Sequence, residues 1–380
     1  MTTIYLIRHG EAEGNLYRRA QGHWDGKITA LGKTQIDALS ARFADTHIDA
    51  VFSSDLSRAK ETAGAFLRGR DLSLATTARL REVCMGVWEG RPWGELQHEW
   101  AEQMSFFNND PAKWSVPGSE SFGDAQLRMT ETIASIAKEH DGESIAIVSH
   151  GMAIKIFLMG VMGVKSGDPE TMMHGDNTSV SLLKYDGGKF AVEYYNDNSH
   201  LGENTSTFAK QKWWRKNGPD LTSLRFERLD PFDGGDAELY LRCYGDSWRA
   251  AHGSERGFSP GVYLASAKNH FKEAPDSLMK VMSGDELAGV IELDPERGRR
   301  EKRGWITLFY LKPEYRGVGL GVQLLGYAVN YFDKRGRSTV RLHAAVTNEK
   351  AVAFYKRNGF SVLGVDSGVS SDQFLMERSV

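Results

Sequence analysis

Four short segments place charged or titratable side chains where an α/β sheet would bind a ligand. The segments read LIRHGEAEGN at 6–15, SSDLSRAKET at 53–62, LREVCMGVWEG at 80–90 and VSHG at 148–151. Each lies at the exit of a predicted strand or in a loop beside one, and ligands of open α/β sheets bind at the carboxyl ends of strands. A neutral imidazole can attack phosphorus, and a guanidinium fork matches the oxygens of a phosphoryl group. These residue types therefore point to phosphoryl transfer.

Taken together, the four segments resemble the histidine phosphatase superfamily, also called the phosphoglycerate mutase-like family, over roughly the first half of the chain. An Arg-His-Gly triplet alone is weak evidence, whereas four ordered segments ending in Ser-His-Gly are specific. The resemblance implies a three-layer α/β/α fold and a reaction through a phosphohistidine intermediate. It implies no metal requirement.

The resemblance assigns roles to five residues. His9 is the position of the nucleophile, and Arg8 and Arg58 are the positions of the guanidinium groups that hold the phosphoryl oxygens. His150 would add a donor at the start of a helix, where the helix dipole favours anions. Glu82 is the position of the carboxyl group that protonates the leaving alcohol and then activates water.

Two further residues match positions where the family adds polar contacts to the phosphate, namely Asn15 and Gln21. The chain departs from the family soon afterwards, because Lys27 and Ile28 stand where the family usually has Pro-Leu. We expect this departure to change the shape of the substrate-facing loop and to leave the phosphate site intact.

Several other polar residues are interpreted as structural. Glu89 is a rival carboxylate to Glu82, but its Trp-Glu-Gly context favours a hydrogen-bonding role. The segment 117–121 resembles a family segment, and we interpret it as a helix start with a Ser or Glu cap. Cys84 and Cys243 lack metal-ligand spacing and are expected to be buried apolar residues. The histidines expected to be surface or packing residues include His23, His98, His174 and His200.

The motifs do not separate phosphate transfer to water from transfer to a second hydroxyl group. The segment between Glu82 and His150 is too short for the insertions associated with phosphoglycerate mutases. The sequence therefore favours hydrolysis of a small phosphomonoester, with a phosphomutase as the alternative.

A second set of motifs lies in the other half of the chain. A predicted strand at 305–311 runs into LKPEYRGVGLG at 311–321, and a predicted helix follows at 322–332. Such a glycine loop offers backbone N–H groups to a pyrophosphate and permits its close approach. A predicted strand at 339–345 then leads to TNEKAVAFYKRNGF at 347–360. These features resemble the GNAT family of N-acetyltransferases, from about residue 224 to the end of the chain.

This second resemblance implies acetyl transfer from acetyl-CoA, a co-substrate, to an amine. The main chain of Leu311 would polarise the thioester, Arg316 would add positive charge, and Asn348 would contact the cofactor. Tyr355 would protonate the departing thiolate, unless it is simply a core aromatic residue. Glu292 could act as the base, but we do not assign that role. The expected pyrophosphate loop consists of Gly317, Val318, Gly319, Leu320 and Gly321.

Both halves alternate strand-like and helix-like patterns, which predicts two α/β domains. The expected organisation is a histidine phosphatase domain at 1–200, a linker at 201–222 and a mixed α/β GNAT domain at 223–380. The linker is rich in Asn, Ser, Thr, Gly and Lys. Its basic and aromatic run at 210–216, which includes Trp213 and Trp214, is interpreted as pinning the linker to a domain surface.

Composition limits the class of partner. The 380 residues carry 47 Lys and Arg against 50 Asp and Glu, so a net charge of −3 gives no reason to expect nucleic acid. The longest apolar stretch, 152–164, is well short of the roughly 20 residues of a membrane helix. No signal peptide is evident, and two distant cysteines fit a reducing cytosol. We therefore expect a cytoplasmic enzyme without a membrane partner. The oligomeric state is not predicted.

These expectations combine into a bifunctional enzyme that acts on a small-molecule phosphomonoester and on a small-molecule amine. The main alternative is a phosphatase whose GNAT-like half only senses CoA. A third possibility, the processing of phosphoprotein or tRNA, depends only on the basic run in the linker.

Overall fold

The computed structural model describes residues 1–164, 174–211, 223–368 and 370–380. The chain divides into two compact units, one spanning residues 1–218 and the other 219–380. Each unit combines one sheet with several helices, which confirms the α/β fold class. The two units are described separately below.

The first unit is built on a six-stranded sheet. Its strands are β1 (Thr2–Arg8), β2 (Ala50–Ser54), β3 (Leu74–Thr77), β4 (Ser144–Ser149), β5 (Val180–Asp186) and β6 (Lys189–Asp197). They lie in the order β3-β2-β4-β1-β5-β6, and only β5 and β6 are antiparallel to their neighbours. Gly187 and Gly188 adopt positive φ in the β5–β6 hairpin, at the turn that the Asp-Gly-Gly sequence predicts.

The helices of the first unit lie on both faces of this sheet. They are α1 (Glu13–Leu16), α2 (Ala30–Arg42), α3 (Ser57–Ala63), α4 (Trp93–Glu99), α5 (Ala101–Asn109), α6 (Phe122–Glu139), α7 (Gly151–Met162) and α8 (Thr207–Gln211). Successive side chains of β1 point to opposite faces, as the pleat requires. Leu6 packs in one core cluster with α6 and α7, whereas Ile7 packs in another with α2 and α3. The result is the expected three-layer arrangement.

A third cluster holds the long connection between Glu82 and α6. Trp88 is fully buried at its centre, and the rings of Trp93, Trp100, Phe107 and Trp114 lie within 6.5 Å of it, centroid to centroid. Edge-to-face aromatic contacts of this kind add to the stabilisation from buried apolar area. They give this connection, which contains the short helices α4 and α5, a defined course beside the sheet.

The second unit is built on a seven-stranded sheet. Its strands are β7 (Leu224–Arg228), β8 (Leu278–Ser283), β9 (Glu286–Asp294), β10 (Arg303–Leu311), β11 (Thr339–Ala345), β12 (Ser361–Asp366) and β13 (Gln373–Ser379). Its helices are α9 (Gly234–His252), α10 (Pro260–Glu273), α11 (Gly321–Asp333) and α12 (Glu349–Arg357). The strand order is β12-β13-β11-β10-β9-β8-β7, and β10–β11 is the parallel pair among the described strands.

The paired region of β10 and β11 runs from Arg303↔Thr339 to Ile306↔Leu342. Both strands continue for several residues beyond that point, β10 to Leu311 and β11 to Ala345. A bulge shifts the register of β10 against β9 at the same level. The two parallel strands therefore separate at their carboxyl ends and open the sheet there.

The expected linker at 201–222 differs from the structure at its start. Helix α8 packs on the first unit, where the Thr207 hydroxyl donates to a carboxylate oxygen of Glu11 (3.2 Å) and the Gln211 side chain donates to the carbonyl of Asn15 (2.8 Å). Side-chain hydrogen bonds, rather than periodicity, hold this segment, so the sequence pattern does not show it. Residues 212–222, with Trp213 and Trp214, lie outside the described residues. In the part of the chain described, every helix is too short or too polar to cross a membrane.

Candidate functional site

His9 and His150 leave the same edge of the first sheet. His9 follows β1 and His150 follows β4, and these strands are parallel neighbours with Arg8 opposite Ser149. The two imidazole rings lie 5.2 Å apart, centroid to centroid, with a tilt of 58°. The sheet register therefore brings together two histidines that are far apart in sequence.

The hydrogen bonds of His9 select one tautomer of its ring. Nδ1 lies 2.7 Å from the carbonyl oxygen of Gly10, and a carbonyl accepts only, so Nδ1 carries the proton. Nε2 then keeps its lone pair, as a nucleophile requires. The His9 backbone is fixed as well, because its N–H donates to the Ser149 carbonyl (3.0 Å) and its carbonyl accepts from the Asn177 side chain (2.9 Å).

Burial keeps His9 uncharged. The side chain is 3% exposed, and loss of solvation lowers its pKa well below the usual value. The positive charges of Arg58 and Arg8 lower the pKa further. The folded protein therefore presents a neutral imidazole over the physiological pH range.

Arg8 and Arg58 bring two guanidinium groups to the two histidines. Arg58 lies on α3 with its side chain fully buried, and it donates to the carbonyl oxygens of Trp24 (2.9 Å) and Gly22 (2.7 Å). Burial lowers its pKa to about 10, so it remains charged at neutral pH. Arg8 donates from Nη1 to the carbonyl of Gly175 (2.5 Å), and burial lowers its pKa too.

Several buried nitrogens around the two rings have no hydrogen-bond partner within the described residues. They are both ring nitrogens of His150 and the Nε atoms of Arg8 and Arg58. Burial, Arg58 and His9 lower the pKa of His150 well below its usual value. A neutral imidazole has one N–H donor, so His150 and the two Nε–H groups offer three unpaired donors. Because buried polar atoms are normally paired, these three donors fit an oxyanion such as a phosphoryl group.

Glu82 lies at the amino end of α7, next to His150. Its Oε1 accepts from the backbone N–H groups of Ala153 (2.7 Å) and Val83 (3.0 Å), and its Oε2 accepts from that of Met152 (3.0 Å). The structure thus places a carboxyl group beside the histidines. To act on a leaving group, one of its oxygens must turn away from these N–H donors.

Asn15 and Gln21, the two predicted phosphate contacts, differ in their surroundings. The Asn15 side chain accepts from the N–H of Ala12 (3.0 Å) and from the Asn177 side chain (3.4 Å). Asn177 also bonds the His9 carbonyl, so Asn15 is joined to the His9 loop through one intermediate residue. The side-chain oxygen of Gln21 is buried without a partner in the described part of the chain.

In the second unit, the predicted pyrophosphate loop lies between β10 and the start of α11. Gly317 and Gly319 have φ of +74° and +89°, a region that strongly favours glycine. A Cβ built on either residue would have no described heavy atom within 4 Å, whereas one on Gly321 would lie 3.1 Å from the Phe354 ring. Val318 is exposed and Leu320 is buried. The loop therefore has open space on its glycines and packs tightly where the helix begins.

The other predicted cofactor residues already make contacts within the protein. Arg316 donates from Nε to the carbonyl of Leu311 (2.6 Å), and the Asn348 side chain caps α12 by accepting from the N–H of Ala351 (3.2 Å). Tyr355 is buried, and burial raises its pKa. Its ring packs against Phe309, Phe354 and Phe360. The roles of these residues in acetyl transfer stay predictions.

Comparisons with known families match both units of the chain. Residues 4–198 match the model of the histidine phosphatase superfamily (branch 1). The chain belongs to the histidine phosphatase superfamily. Residues 237–360 match the model of the acetyltransferase (GNAT) family. Both resemblances found in the sequence are therefore confirmed at the level of family.

Relatives of the histidine phosphatase unit cover about half of this chain. The probable phosphoglycerate mutase GpmB of Yersinia pestis is 32% identical over 209 residues, which is 53% of this chain and 95% of that protein. The GpmB of Yersinia pseudotuberculosis gives the same values. Among solved structures, Bacillus stearothermophilus YhfR is 32% identical with a TM-score of 0.51, covering 53% of this chain and all of that one.

The histidine phosphatase site also contains a loop that the sequence analysis missed. Residues 174–179 contact the backbone of Arg8 and His9 and the side chain of Arg8. The Gly175 carbonyl accepts from the Arg8 guanidinium, and the Asn177 side chain donates to the His9 carbonyl. The N–H of Thr178 donates to the Arg8 carbonyl (3.1 Å). Thr178 adopts a φ of +60° to do so. The loop has no periodicity, and its polar composition before β5 is the only signal in the sequence.

Three residues beside Glu82 could in principle ligate a metal ion. One potential ligand atom from each of His23, Cys84 and Glu89 lies within 4.8 Å of the others. All three side chains are already hydrogen-bonded within the protein. His23 contacts the Glu82 carbonyl, the Cys84 thiol donates to the Gly118 carbonyl, and Glu89 accepts from backbone N–H groups. This agrees with a structural role for Glu89. The expectation that Cys84 is buried was wrong, because its side chain is only partly buried, whereas Cys243 is buried as expected.

In the GNAT unit, Glu292 is fully buried in a polar network under α9 and α10. One oxygen lies 2.8 Å from Nδ1 of His270, and the other accepts from the Tyr240 hydroxyl (2.8 Å). Burial lowers the pKa of His270, but its hydrogen bonds to Asp294 and Glu292 outweigh the effect of burial. The pKa of His270 is therefore raised to about 9. These partners occupy Glu292 in a buried ion pair.

Proposed function

We propose that the first unit hydrolyses small phosphomonoesters through a phosphohistidine intermediate, and that the second transfers an acetyl group from acetyl-CoA to a small-molecule amine. The observation that carries the first part is the buried, neutral imidazole of His9, with its Nε2 lone pair, beside two guanidinium groups. We take residues 1–200, with helix α8 packed against them, and residues 223–380 as the two catalytic domains.

In the first step, Nε2 of His9 attacks phosphorus in line, an N–P bond forms and the P–O bond to the leaving alcohol breaks. Arg8, Arg58 and His150 stabilise the negative charge on the equatorial oxygens. Glu82 gives its proton to the leaving oxygen. In the second step the Glu82 carboxylate takes a proton from water, the water oxygen attacks phosphorus, and the N–P bond breaks to release inorganic phosphate and neutral His9.

A phosphomutase is the second candidate for this unit. The Yersinia relatives are described as probable phosphoglycerate mutases, which favours it. The short connection between Glu82 and β4 supports hydrolysis. Incubation with 3-phosphoglycerate distinguishes them, because a mutase forms the 2-phospho isomer without net release of phosphate.

The proposed acetyltransferase activity is supported by the separation of β10 and β11 together with the open glycine loop. The loop would hold the pyrophosphate of acetyl-CoA, which supplies the activated acetyl group. Tyr355 would protonate the thiolate, and Leu311 lies where the strands part. A CoA sensor remains the alternative, and it would bind acetyl-CoA without releasing free CoA. The free cysteines, Cys84 and Cys243, suit a reducing compartment and support a cytoplasmic enzyme.

A single purified protein can test both halves. We expect phosphate release from a panel of phosphomonoesters and free CoA release from acetyl-CoA with a panel of amines. His9→Ala should abolish phosphate release and leave CoA release unchanged, whereas His98→Ala, at an exposed histidine, should change neither. Phosphate release by His9→Ala at the wild-type rate would refute the nucleophile assignment.

A further inference from the structure

Arg128, on α6, binds the loop that carries Glu82. Its Nη1 donates to the carbonyl oxygens of Arg79 (2.7 Å) and Arg81 (3.1 Å), and its Nη2 donates to the carbonyl of Glu82 (3.4 Å). One guanidinium group thus contacts three backbone carbonyls within four residues. These contacts hold the backbone up to and including Glu82, the proposed proton donor.

The whole loop 79–82 is held by side chains. The remaining carbonyl, that of Leu80, accepts from the Ser149 hydroxyl (2.8 Å), and the Glu82 carbonyl also contacts Nε2 of His23 (3.0 Å). In a sheet or a helix, backbone carbonyls accept from the N–H groups of the regular hydrogen-bond pattern. An irregular loop has no such pattern, so its carbonyls need other donors. The side chains therefore determine where the backbone of Glu82 lies.

Glu120 fixes the orientation of Arg128. Its two carboxylate oxygens accept from Nε and Nη2 of Arg128, both at 2.7 Å, which is a bidentate arrangement. The N–H of Glu120 donates to the carbonyl of Cys84 (3.0 Å), two residues after Glu82. The pair is mostly buried, with side-chain exposures of 16% and 19%. Arg128 and Glu120 together hold the chain on both sides of Glu82.

This arrangement gives the 117–121 segment a second role. Ser121 caps α6, as the sequence predicts, because its hydroxyl accepts from the N–H of Asp124 (3.0 Å). Glu120 does not cap the helix and instead pairs with Arg128.

We propose that Arg128 and Glu120 form a clamp that positions Glu82 for proton transfer to the leaving alcohol. The proposal rests on the proposed function, in which Glu82 is the general acid. In the described part of the chain, the side-chain hydrogen bonds of the clamp go to loop 79–82, to Cys84 or between its two members. Both are positioning residues, because they act through Glu82. A misplacement of about 1 Å can cost roughly 100-fold in rate.

The leaving group provides the test. p-Nitrophenolate departs without a proton, whereas the alkoxide of an alkyl phosphate needs one, so loss of the acid selectively slows the alkyl ester. General acid catalysis contributes about 100- to 10,000-fold. Glu82→Gln should therefore lower kcat/KM for glycerol phosphate by about that factor and affect p-nitrophenyl phosphate far less. Arg128→Met should show the same selectivity, lowering kcat/KM for glycerol phosphate by at least about tenfold.

Two further variants act as controls. Arg79→Ala removes another arginine that reaches α6, through Thr132 (2.9 Å) and Glu131 (2.8 Å), without removing a bond to a loop carbonyl. Arg79→Ala should leave kcat/KM unchanged for both substrates. Glu120→Gln keeps the shape of the clamp and weakens its charge-assisted bonds, so it should give a smaller, equally selective loss. It also provides the test if Arg128→Met fails to fold, as judged by circular dichroism.

The outcomes separate this inference from the proposed function. A selective loss in Glu82→Gln, Arg128→Met and Glu120→Gln supports the clamp. If Glu82→Gln is selective but the two clamp variants slow both substrates equally, or neither, the clamp is overturned and the acid assignment stands. If Glu82→Gln itself shows no selectivity, the acid assignment fails, and the clamp fails with it.

Discussion

The two buried histidines of the candidate site in the first unit predict how the stability of that unit depends on pH. Burial, together with nearby positive charge, lowers the pKa values of His9 and His150 well below their usual value. In the unfolded chain a histidine titrates near pH 6.5. Below that pH the unfolded chain binds protons that the folded chain does not, so acid favours unfolding. The stability contributed by the two neutral rings is therefore complete above about pH 6.5 and is lost as the pH falls.

The size of this effect follows from proton linkage. Each buried neutral histidine lowers the free energy of unfolding by about 1.4 kcal/mol when the pH falls from about 7.5 to 5.5. Both rings together account for about 2.7 kcal/mol, a large fraction of the stability of an ordinary domain. His150→Gln, which cannot titrate, should lose about 1.4 kcal/mol less than the wild type over that interval.

Urea unfolding of the full chain at the two pH values measures this difference. Comparing the variant with the wild type cancels the contribution of all other titrating groups, since only the change with pH is compared. His98→Gln, at an exposed position, controls for the substitution itself and should follow the wild type. The same pH-dependent loss in wild type and His150→Gln would refute the conclusion that the buried ring is neutral.

Three further predictions concern other parts of the chain. Gly319→Val forces a β-branched residue to a φ of +89°, so it should weaken acetyl-CoA binding at least about tenfold in calorimetry, whereas Gly336→Val, also at positive φ, should not. Tyr355→Phe keeps the buried ring and should preserve the affinity for acetyl-CoA while lowering kcat of CoA release, and an unchanged kcat would leave Tyr355 as a core residue only. Trp88→Ala removes the centre of the aromatic cluster and should cost about 3–5 kcal/mol in urea unfolding, and a loss below about 1 kcal/mol would contradict that placement.

The sequence predicted the elements that carry the motif residues well. β11 has the predicted bounds, Thr339–Ala345, because its buried apolar residues alternate with polar ones at the period of a strand. The Asp-Gly-Gly turn likewise specifies its hairpin locally. Patterns of this kind arise from contacts between neighbouring residues, which a sequence displays directly.

Other parts of the candidate site left no local pattern. Arg128 reaches carbonyls 46 to 49 positions away, and Asn177 bonds the carbonyl of His9 from a distance of 168 positions. The docking of α8 on Glu11 likewise depends on a side-chain contact between distant residues. Such bonds require only a polar side chain at one end and a backbone or polar group at the other, so nothing in the composition marks them.

The amino-acid sequence by itself determined the chemical types at the strand exits, the course of the buried strands, membership in the histidine phosphatase superfamily and the match to the GNAT family. Only the tertiary structure decided which nitrogen of His9 keeps its lone pair, that both imidazoles are uncharged, and which side chains hold the Glu82 loop. The physical reason is that these properties depend on burial and on contacts across the sheet. Both arise from the packing of distant segments rather than from any residue and its neighbours.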